Sequence, residues 1–123
     1  MNTALWITQI ILALVFLGAG FVKLTKSREF LEPRMTYVED MTDSQVTITG
    51  VVEVLGALGL VLPGLTGIAP ILTPIAASGL VIVMIVAAAL HVKRDEMPNI
   101  AVNVLLAAMA AFVAWGRFGE YAL

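Results

Sequence analysis

Four long apolar blocks, each long enough to cross a lipid bilayer, constrain this chain more than any other feature. A transmembrane helix needs about 20 mostly apolar residues, with a range of about 17 to 25. The blocks cover residues 4–24, 43–62, 70–91 and 98–115. Short links between the later blocks favour neighbouring helices that run in opposite directions. We therefore predict an all-α membrane protein, an antiparallel four-transmembrane-helix bundle in which residues 1–123 form a single domain.

Helix-end signals set the boundaries of these spans. Thr42 followed three residues later by Gln45 has the pattern of a capping box, with Asp43 in the first turn. The Pro63-Gly64 pair is predicted to end the second span, because proline lacks a backbone donor and glycine favours helix termination. Prolines and a glycine mark boundaries of the other spans. The third span is predicted to begin with Pro70 and Pro74 in its first turns, and the fourth to begin near Pro98 and end at Gly116.

The composition excludes several classes of function. The chain is 60% apolar and 13% charged, whereas soluble proteins carry about a quarter charged residues. Its net charge of −2 provides no basic surface for nucleic acid. The absence of cysteine excludes disulfides, thiol redox pairs, cysteine-bound zinc and iron–sulfur clusters, and a single histidine excludes bis-histidine haem within one chain. No catalytic set and no metal-ligand set is found, so an enzyme acting alone is not indicated.

The distribution of basic residues predicts the orientation in the cell membrane. Six lie on one side of the bilayer, in or beside the charged loops 25–42 and 92–97, namely Lys23, Lys26, Arg28, Arg34, Lys93 and Arg94. Arg117 lies on the other side. Because cytoplasmic loops are enriched in Lys and Arg, we predict that both loops are cytoplasmic and both termini outside. Trp6 and Trp115 are then expected near the outer interface.

Glu53 is the most informative polar residue in the spans. It lies seven residues beyond Val46 at the predicted interface, which places it roughly 10 Å into the apolar layer at 1.5 Å per residue. A carboxylate at that depth needs a partner, a bound water or a proton. Gly50, Gly56 and Ala57 lie on the same helix face, so this face permits close approach of another helix or a ligand.

Four further polar residues are predicted at the same height as Glu53. Lys23 ends the first span with Gly20 one turn before it, and His91 ends the third. Asn99 and Asn103 are four residues apart in the opening turns of the fourth span and share a face. Since spans one and three end on the side where spans two and four begin, all of these side chains are expected in the cytoplasmic half of the bundle. They form a candidate ligand-binding cluster.

Each member of this cluster also has a purely structural interpretation. Lys23 is also consistent with an interfacial anchor, and His91 with a residue in the wet interface. Asn103 is consistent with a hydrogen-bonding link between helices, and Asn99 with a polar residue in a first helical turn. A Glu53–Lys23 pair would lock the bundle without binding anything.

Three segments resemble the DoxX-like family of small four-span membrane proteins: Gly20-Phe21-Val22-Lys23-Leu24, the stretch 50–60, and His91-Val92-Lys93-Arg94. The resemblance covers nearly the whole chain. It implies that Lys23, Glu53 and His91 match the polar signature of the family. Relatives are linked to the membrane part of a thiosulfate:quinone oxidoreductase and to other membrane oxidoreductase complexes, and distant eukaryotic relatives assist receptor assembly. This chain lacks a thiol and a second histidine.

Three functions follow as hypotheses. The first is an accessory or ligand-binding subunit of a membrane oxidoreductase complex, in which the polar cluster accepts a quinone or a similar amphiphile. The second is a non-catalytic assembly or chaperone subunit, in which the cluster only holds the bundle together. The third is a proton-coupled transporter, for which a homodimer would supply enough helices. The expected partners are the lipid bilayer and another membrane protein or a second copy of the chain, and not nucleic acid.

Overall fold

The computed structural model describes residues 1–123 except for the side chain of Tyr37. Its elements in chain order are α1 (Asn2–Thr25), α2 (Arg28–Leu31), a 3₁₀ helix (Thr36–Asp40), α3 (Asp43–Thr66), α4 (Leu72–Lys93) and α5 (Met97–Phe118). Four of them, α1, α3, α4 and α5, are long and apolar enough to span a membrane. The prediction of an all-α membrane protein with four spans is confirmed.

The beginning of α3 confirms the predicted capping box. The Gln45 backbone N–H donates to Thr42 Oγ1 at 3.1 Å, and the Thr42 backbone N–H donates to Gln45 Oε1 at 2.9 Å. The first turn of a helix leaves its backbone donors without partners inside the helix. The reciprocal pair of bonds supplies two of these partners and fixes the point at which α3 starts.

The predicted end of this span at Pro63-Gly64 is wrong. The helix continues through Pro63 to Thr66 and is followed by Gly67, whose φ of 72° is left-handed. Proline at 63 leaves the Gly59 carbonyl without its usual donor from four residues further on. The hydroxyl of Thr73, in α4, donates to that carbonyl at 2.8 Å. A neighbouring helix therefore replaces the lost hydrogen bond, and α3 can continue.

Two other boundaries differ from the prediction. Pro70 lies in the turn before α4, which begins at Leu72, so only Pro74 is in the first turn. Gly116 does not end α5, which extends to Phe118. A Cβ added to Gly116 would lie 2.7 Å from Leu5 Cδ1, so this glycine permits close packing on α1 and does not terminate the helix.

Residues 28–40, which we call the cap segment, are folded where the sequence indicates only a charged loop. The Phe30 N–H donates to Ser27 Oγ at 3.3 Å, which caps α2. The Arg28 guanidinium donates to the Val38 carbonyl at 2.9 Å and to the Met41 carbonyl at 2.6 Å. These bonds fold the cap segment back toward the start of α3.

Glycine brings α1 and α3 into backbone contact. A Cβ added to Gly20 would lie 2.7 Å from the Gly50 carbonyl oxygen. Further along the pair, the Gln9 amide donates to the Leu60 carbonyl at 2.6 Å. Residue numbers fall on α1 as they rise on α3, so the contacts run in opposite directions along these two helices.

Gly56 and Ala57, the other small residues predicted near Glu53, lie where α3 packs against α4. A Cβ added to Gly56 would lie 2.8 Å from Leu80 Cδ2, and Ala57 is only 2% exposed. The core residues next to them are fully buried: Leu12, Leu60, Ala77, Leu80, Ala110 and Val113. Small and large side chains thus alternate across the contact, which holds the helices close enough for the polar residues near Glu53 to meet.

Candidate functional site

A buried ion pair joins α1 to α3. Lys23 Nζ lies 2.5 Å from Glu53 Oε1, and the two side chains are 1% and 2% exposed. Glycine permits the close approach of the two helices here, because a Cβ added to Gly50 would lie 3.1 Å from Lys23 Cβ. The interpretation of Lys23 as an interfacial anchor is therefore wrong: its side chain is buried against Glu53.

All five residues of the predicted polar cluster line one cavity of about 180 Å³, which we call the inner cavity. They come from four different helices: Lys23, Glu53, His91, Asn99 and Asn103. The remaining wall consists of apolar side chains of α1, α4 and α5 together with part of the cap segment. The structure thus brings together every residue of the cluster, and their role in binding a ligand stays a prediction.

His91 connects the inner cavity to a polar contact at the end of the bundle. Its Nδ1 lies 2.9 Å from Glu96 Oε1, and its side chain is 5% exposed. The Thr36 hydroxyl donates to the other oxygen, Oε2, of the same carboxylate. These two hydrogen bonds, that of Thr36 first, hold the pKa of Glu96 below its ordinary value. Nothing in the sequence singles out Glu96, because it lies among charged residues in a short link.

Arg94 ties the cap segment to the same link between α4 and α5. Its guanidinium lies 3.0 Å from Glu39, 3.4 Å from Asp40 and 3.3 Å from Glu96. The first two acidic residues belong to the 3₁₀ helix of the cap segment. The ion pairs of Arg94 with Glu39 and Asp40, together with the Thr36–Glu96 hydrogen bond, therefore hold this segment across the end of the bundle.

The two asparagines of α5 differ in their surroundings. Asn103 is 8% exposed, and its amide Nδ2 donates to Met84 Sδ at 3.3 Å. This contact links α5 to α4, as the structural interpretation of Asn103 requires. Asn99 is exposed and lies at the rim of the inner cavity. A thioether is a weak hydrogen-bond acceptor, so the Asn103 amide has more hydrogen-bonding capacity than Met84 uses.

A second buried polar cluster, at the opposite end of the bundle, was missed by the sequence reasoning. Arg117 is 2% exposed and donates to Gln9 Oε1 at 2.6 Å, to Asn2 Oδ1 at 2.7 Å and to the Tyr121 carbonyl at 2.9 Å. Gln9 is itself fully buried. Trp6, half-buried, has its ring centroid 5.6 Å from the Arg117 guanidinium carbon. The only signal for this cluster was Gln9, a polar residue that interrupts the first apolar block.

The inner cavity combines charge with several kinds of hydrogen-bonding group. Lys23 supplies an ammonium donor, Glu53 an acceptor, His91 an imidazole, and Asn99 and Asn103 supply amides that donate and accept. Such a set suits a ligand with carbonyl or hydroxyl groups on an otherwise apolar body. Among the side chains that the structure describes, no group of three or more His, Asp or Glu is arranged to hold a metal ion.

Comparison with known proteins gives one match. The model of the DoxX-like family matches residues 7–113 of the 123-residue chain. The matched stretch contains all five residues of the inner cavity named above and most of every long helix. No curated protein and no solved structure matches the chain.

Proposed function

Because the chain belongs to the DoxX-like family and has four membrane-capable helices, we propose that it is an accessory subunit that binds the polar head of a membrane amphiphile. A quinone is the candidate ligand, and a membrane oxidoreductase complex is the candidate assembly. The observation that carries the proposal is the inner cavity, where five polar side chains from four helices share one space inside an apolar bundle. Polar groups in membrane spans are costly and concentrate at functional sites.

The donors of the inner cavity suit the chemistry of a quinone head. Each quinone carbonyl needs a hydrogen-bond donor, and side chains with N–H groups, those of Lys23, His91 and Asn103, lie on the cavity wall. Reduction of a bound quinone adds protons as well as electrons. In this proposal a partner subunit supplies two electrons and water supplies two protons, which pass one at a time through the Glu53 carboxylate on the same wall to the two oxygens of the head.

Quinone binding by substituted proteins tests this proposal. Binding of decylubiquinone to the chain in lipid nanodiscs would be titrated for the unaltered protein and for Glu53→Gln and Asn103→Leu. For Asn103→Leu, the loss of one hydrogen bond of about 1.4 kcal/mol corresponds to about tenfold weaker binding. Ser78→Ala is the matched control, because that hydroxyl donates only within its own helix, to the Pro74 carbonyl at 2.8 Å. Unchanged affinity in both cavity variants would contradict the proposal.

A second candidate function is that of a non-catalytic assembly subunit. The observation that favours it is the ion pair itself, because Lys23 and Glu53 already meet at 2.5 Å within the chain. This alternative expects Glu53→Gln to lower the stability or the yield of a complex while quinone binding is absent from the start. Affinity purification that recovers only copies of the chain itself would count against it.

For the membrane orientation we propose a cytoplasmic cap segment and external termini in the cell membrane. The supporting observation is the excess of basic residues on the side of the cap segment. Since the chain has no cysteine, a single introduced cysteine can report which side of the membrane its position faces. Ile68→Cys, at an exposed position between α3 and α4, should react with an impermeant maleimide in intact cells, and Glu29→Cys only after permeabilisation. The reverse pattern would refute this orientation.

A further inference from the structure

The apolar side of the inner cavity lies between α1 and α5. Val15, Phe16 and Ala19 come from α1, and Val102 and Leu106 come from α5. Val15 is 41% exposed and Val102 is 55% exposed, so this wall is continuous with the outer surface of the bundle. In a four-span protein that surface faces lipid. We call the strip formed by Val15, Ala19, Val102 and Leu106 the α1–α5 seam.

The two helices of the seam are in close contact toward their other ends. There a Cβ added to Gly116 would meet Leu5 at 2.7 Å, and Gln9 accepts a hydrogen bond from Arg117 at 2.6 Å. At the level of Ala19 and Val102 the inner cavity lies between them instead. At the depth of the polar side chains, the cavity is therefore bordered by apolar residues that reach the outer surface of the bundle.

The cap segment covers part of the aqueous side of the inner cavity. Arg34 and Thr36 of the cap segment form part of its lining. This cover is fastened by the Thr36–Glu96 hydrogen bond and by the ion pairs of Arg94 with the 3₁₀ helix. A ligand that approached from water would meet these ion pairs and the exposed Arg34, whereas a ligand dissolved in the bilayer meets the apolar side chains of the seam.

We infer that the ligand reaches the inner cavity sideways from the bilayer through the α1–α5 seam, and that its apolar tail lies in the seam while its head is bound inside. This inference rests on the proposed function and specifies its ligand class: an amphiphile with a hydrogen-bonding head and a hydrocarbon tail. Lipid on one side of the seam and polar groups on the other match the two ends of such a molecule.

A steric block in the seam tests the inference. Ala19→Trp places a large ring on the α1 side of the opening, and Ala89→Trp is the matched control on the exposed face of α4, away from the inner cavity. Binding of decylubiquinone and of duroquinone, which has no long tail, would be measured in nanodiscs. We expect Ala19→Trp to weaken decylubiquinone binding about tenfold or more, equivalent to about 1.4 kcal/mol, and duroquinone binding by a smaller factor. Ala89→Trp should change neither.

The outcomes separate the access route from the head site. If Ala19→Trp binds decylubiquinone as the unaltered protein does, the seam is not the route, while the head site survives. If the unaltered protein binds neither quinone, the proposed function fails and the seam inference falls with it. Equal weakening of both quinones places the effect of Ala19→Trp in the head site and overturns the assignment of the tail to the seam.

A second measurement needs no substitution and therefore does not depend on the folding of Ala19→Trp. A quinone with a photoreactive group on its tail should cross-link to peptides that contain Val15 or Val102. A competing apolar groove of about 180 Å³ lies between α3 and α4 and is lined in part by Val52 and Ile82. Cross-links confined to that groove would overturn the inference.

Discussion

Removal of one partner of the Lys23–Glu53 pair should destabilise the protein strongly, whereas removal of both should not. The pair is almost fully buried, with 1% and 2% of the side chains exposed. In Glu53→Leu the ammonium group loses its carboxylate, and in Lys23→Met the carboxylate loses its ammonium group. The combined variant leaves two apolar side chains at the α1–α3 contact.

The magnitude follows from the geometry of the pair. At a separation of 2.5 Å and an effective dielectric constant of about 20, the attraction is about 7 kcal/mol. Burial of the two ions costs several kcal/mol each, so the intact pair contributes little net stability. A single substitution removes the attraction but leaves one ion buried, and we expect it to cost about 3–5 kcal/mol. We expect the combined variant to lie within about 1 kcal/mol of the unaltered protein, or above it.

A double-mutant cycle measures this coupling. The free energy of unfolding would be determined in bicelles for the unaltered protein, for both single variants and for the combined variant. The interaction energy is the difference between the combined loss and the sum of the single losses. If the losses simply add, with an interaction energy below about 0.5 kcal/mol, the two ions do not depend on each other, and the account of this pair is refuted.

Three further predictions concern other contacts. Gly20→Ala should destabilise the protein by about 1–3 kcal/mol, because the new Cβ would lie 2.7 Å from the backbone of α3. Gly18→Ala is the control: a Cβ there has nothing within 4 Å, so the substitution should be neutral or stabilising. Thermal unfolding measures both effects. Thr73→Val should cost about 1–3 kcal/mol of unfolding free energy, because the Gly59 carbonyl loses its donor. Because the folded-state pKa of Glu96 is lowered, its stabilisation is present above its ordinary value of 4.5 and is lost as pH falls through the lower folded value. The melting temperature of Glu96→Gln should therefore fall less on acidification.

Each of these predictions has an outcome that contradicts it. Equal effects of alanine at Gly20 and Gly18 would mean that α1 and α3 are not in backbone contact. A Thr73→Ser variant as unstable as Thr73→Val would show that the hydroxyl does not supply the missing donor near Pro63. Parallel melting profiles between pH 7 and pH 3 for Glu96→Gln and the unaltered protein would show that this carboxylate is not stabilised by folding.

The sequence alone predicts the features that depend on local pattern and on span direction. The four spans follow from the lengths of the apolar blocks, and the start of α3 follows from Thr42 and Gln45. The meeting of Lys23, Glu53 and His91 in one cavity follows from counting spans, since alternate helices begin and end on the same side.

The features that the sequence did not reveal depend on partners distant in the chain. Pro63 predicts a helix end, because the sequence does not show that the Thr73 hydroxyl donates a hydrogen bond to the Gly59 carbonyl. Gln9 and Arg117 are 108 residues apart, so neither residue predicts from the sequence that the other is its hydrogen-bond partner. The sequence gives no local sign that such pairs are close in space, because closeness across the bundle is a property of packing.

The two polar clusters also constrain how α1 can move. Gln9 is hydrogen-bonded near one end of this helix, and Lys23 is paired near the other, with fourteen residues, or about four turns, between them. A screw motion of α1 about its own axis would break both attachments in the same step. Helix α1 is therefore fixed to α3 at two points. Because Arg117 also attaches one end of α5 to Gln9, any movement that admits a ligand is expected at the other end of α5, near Val102.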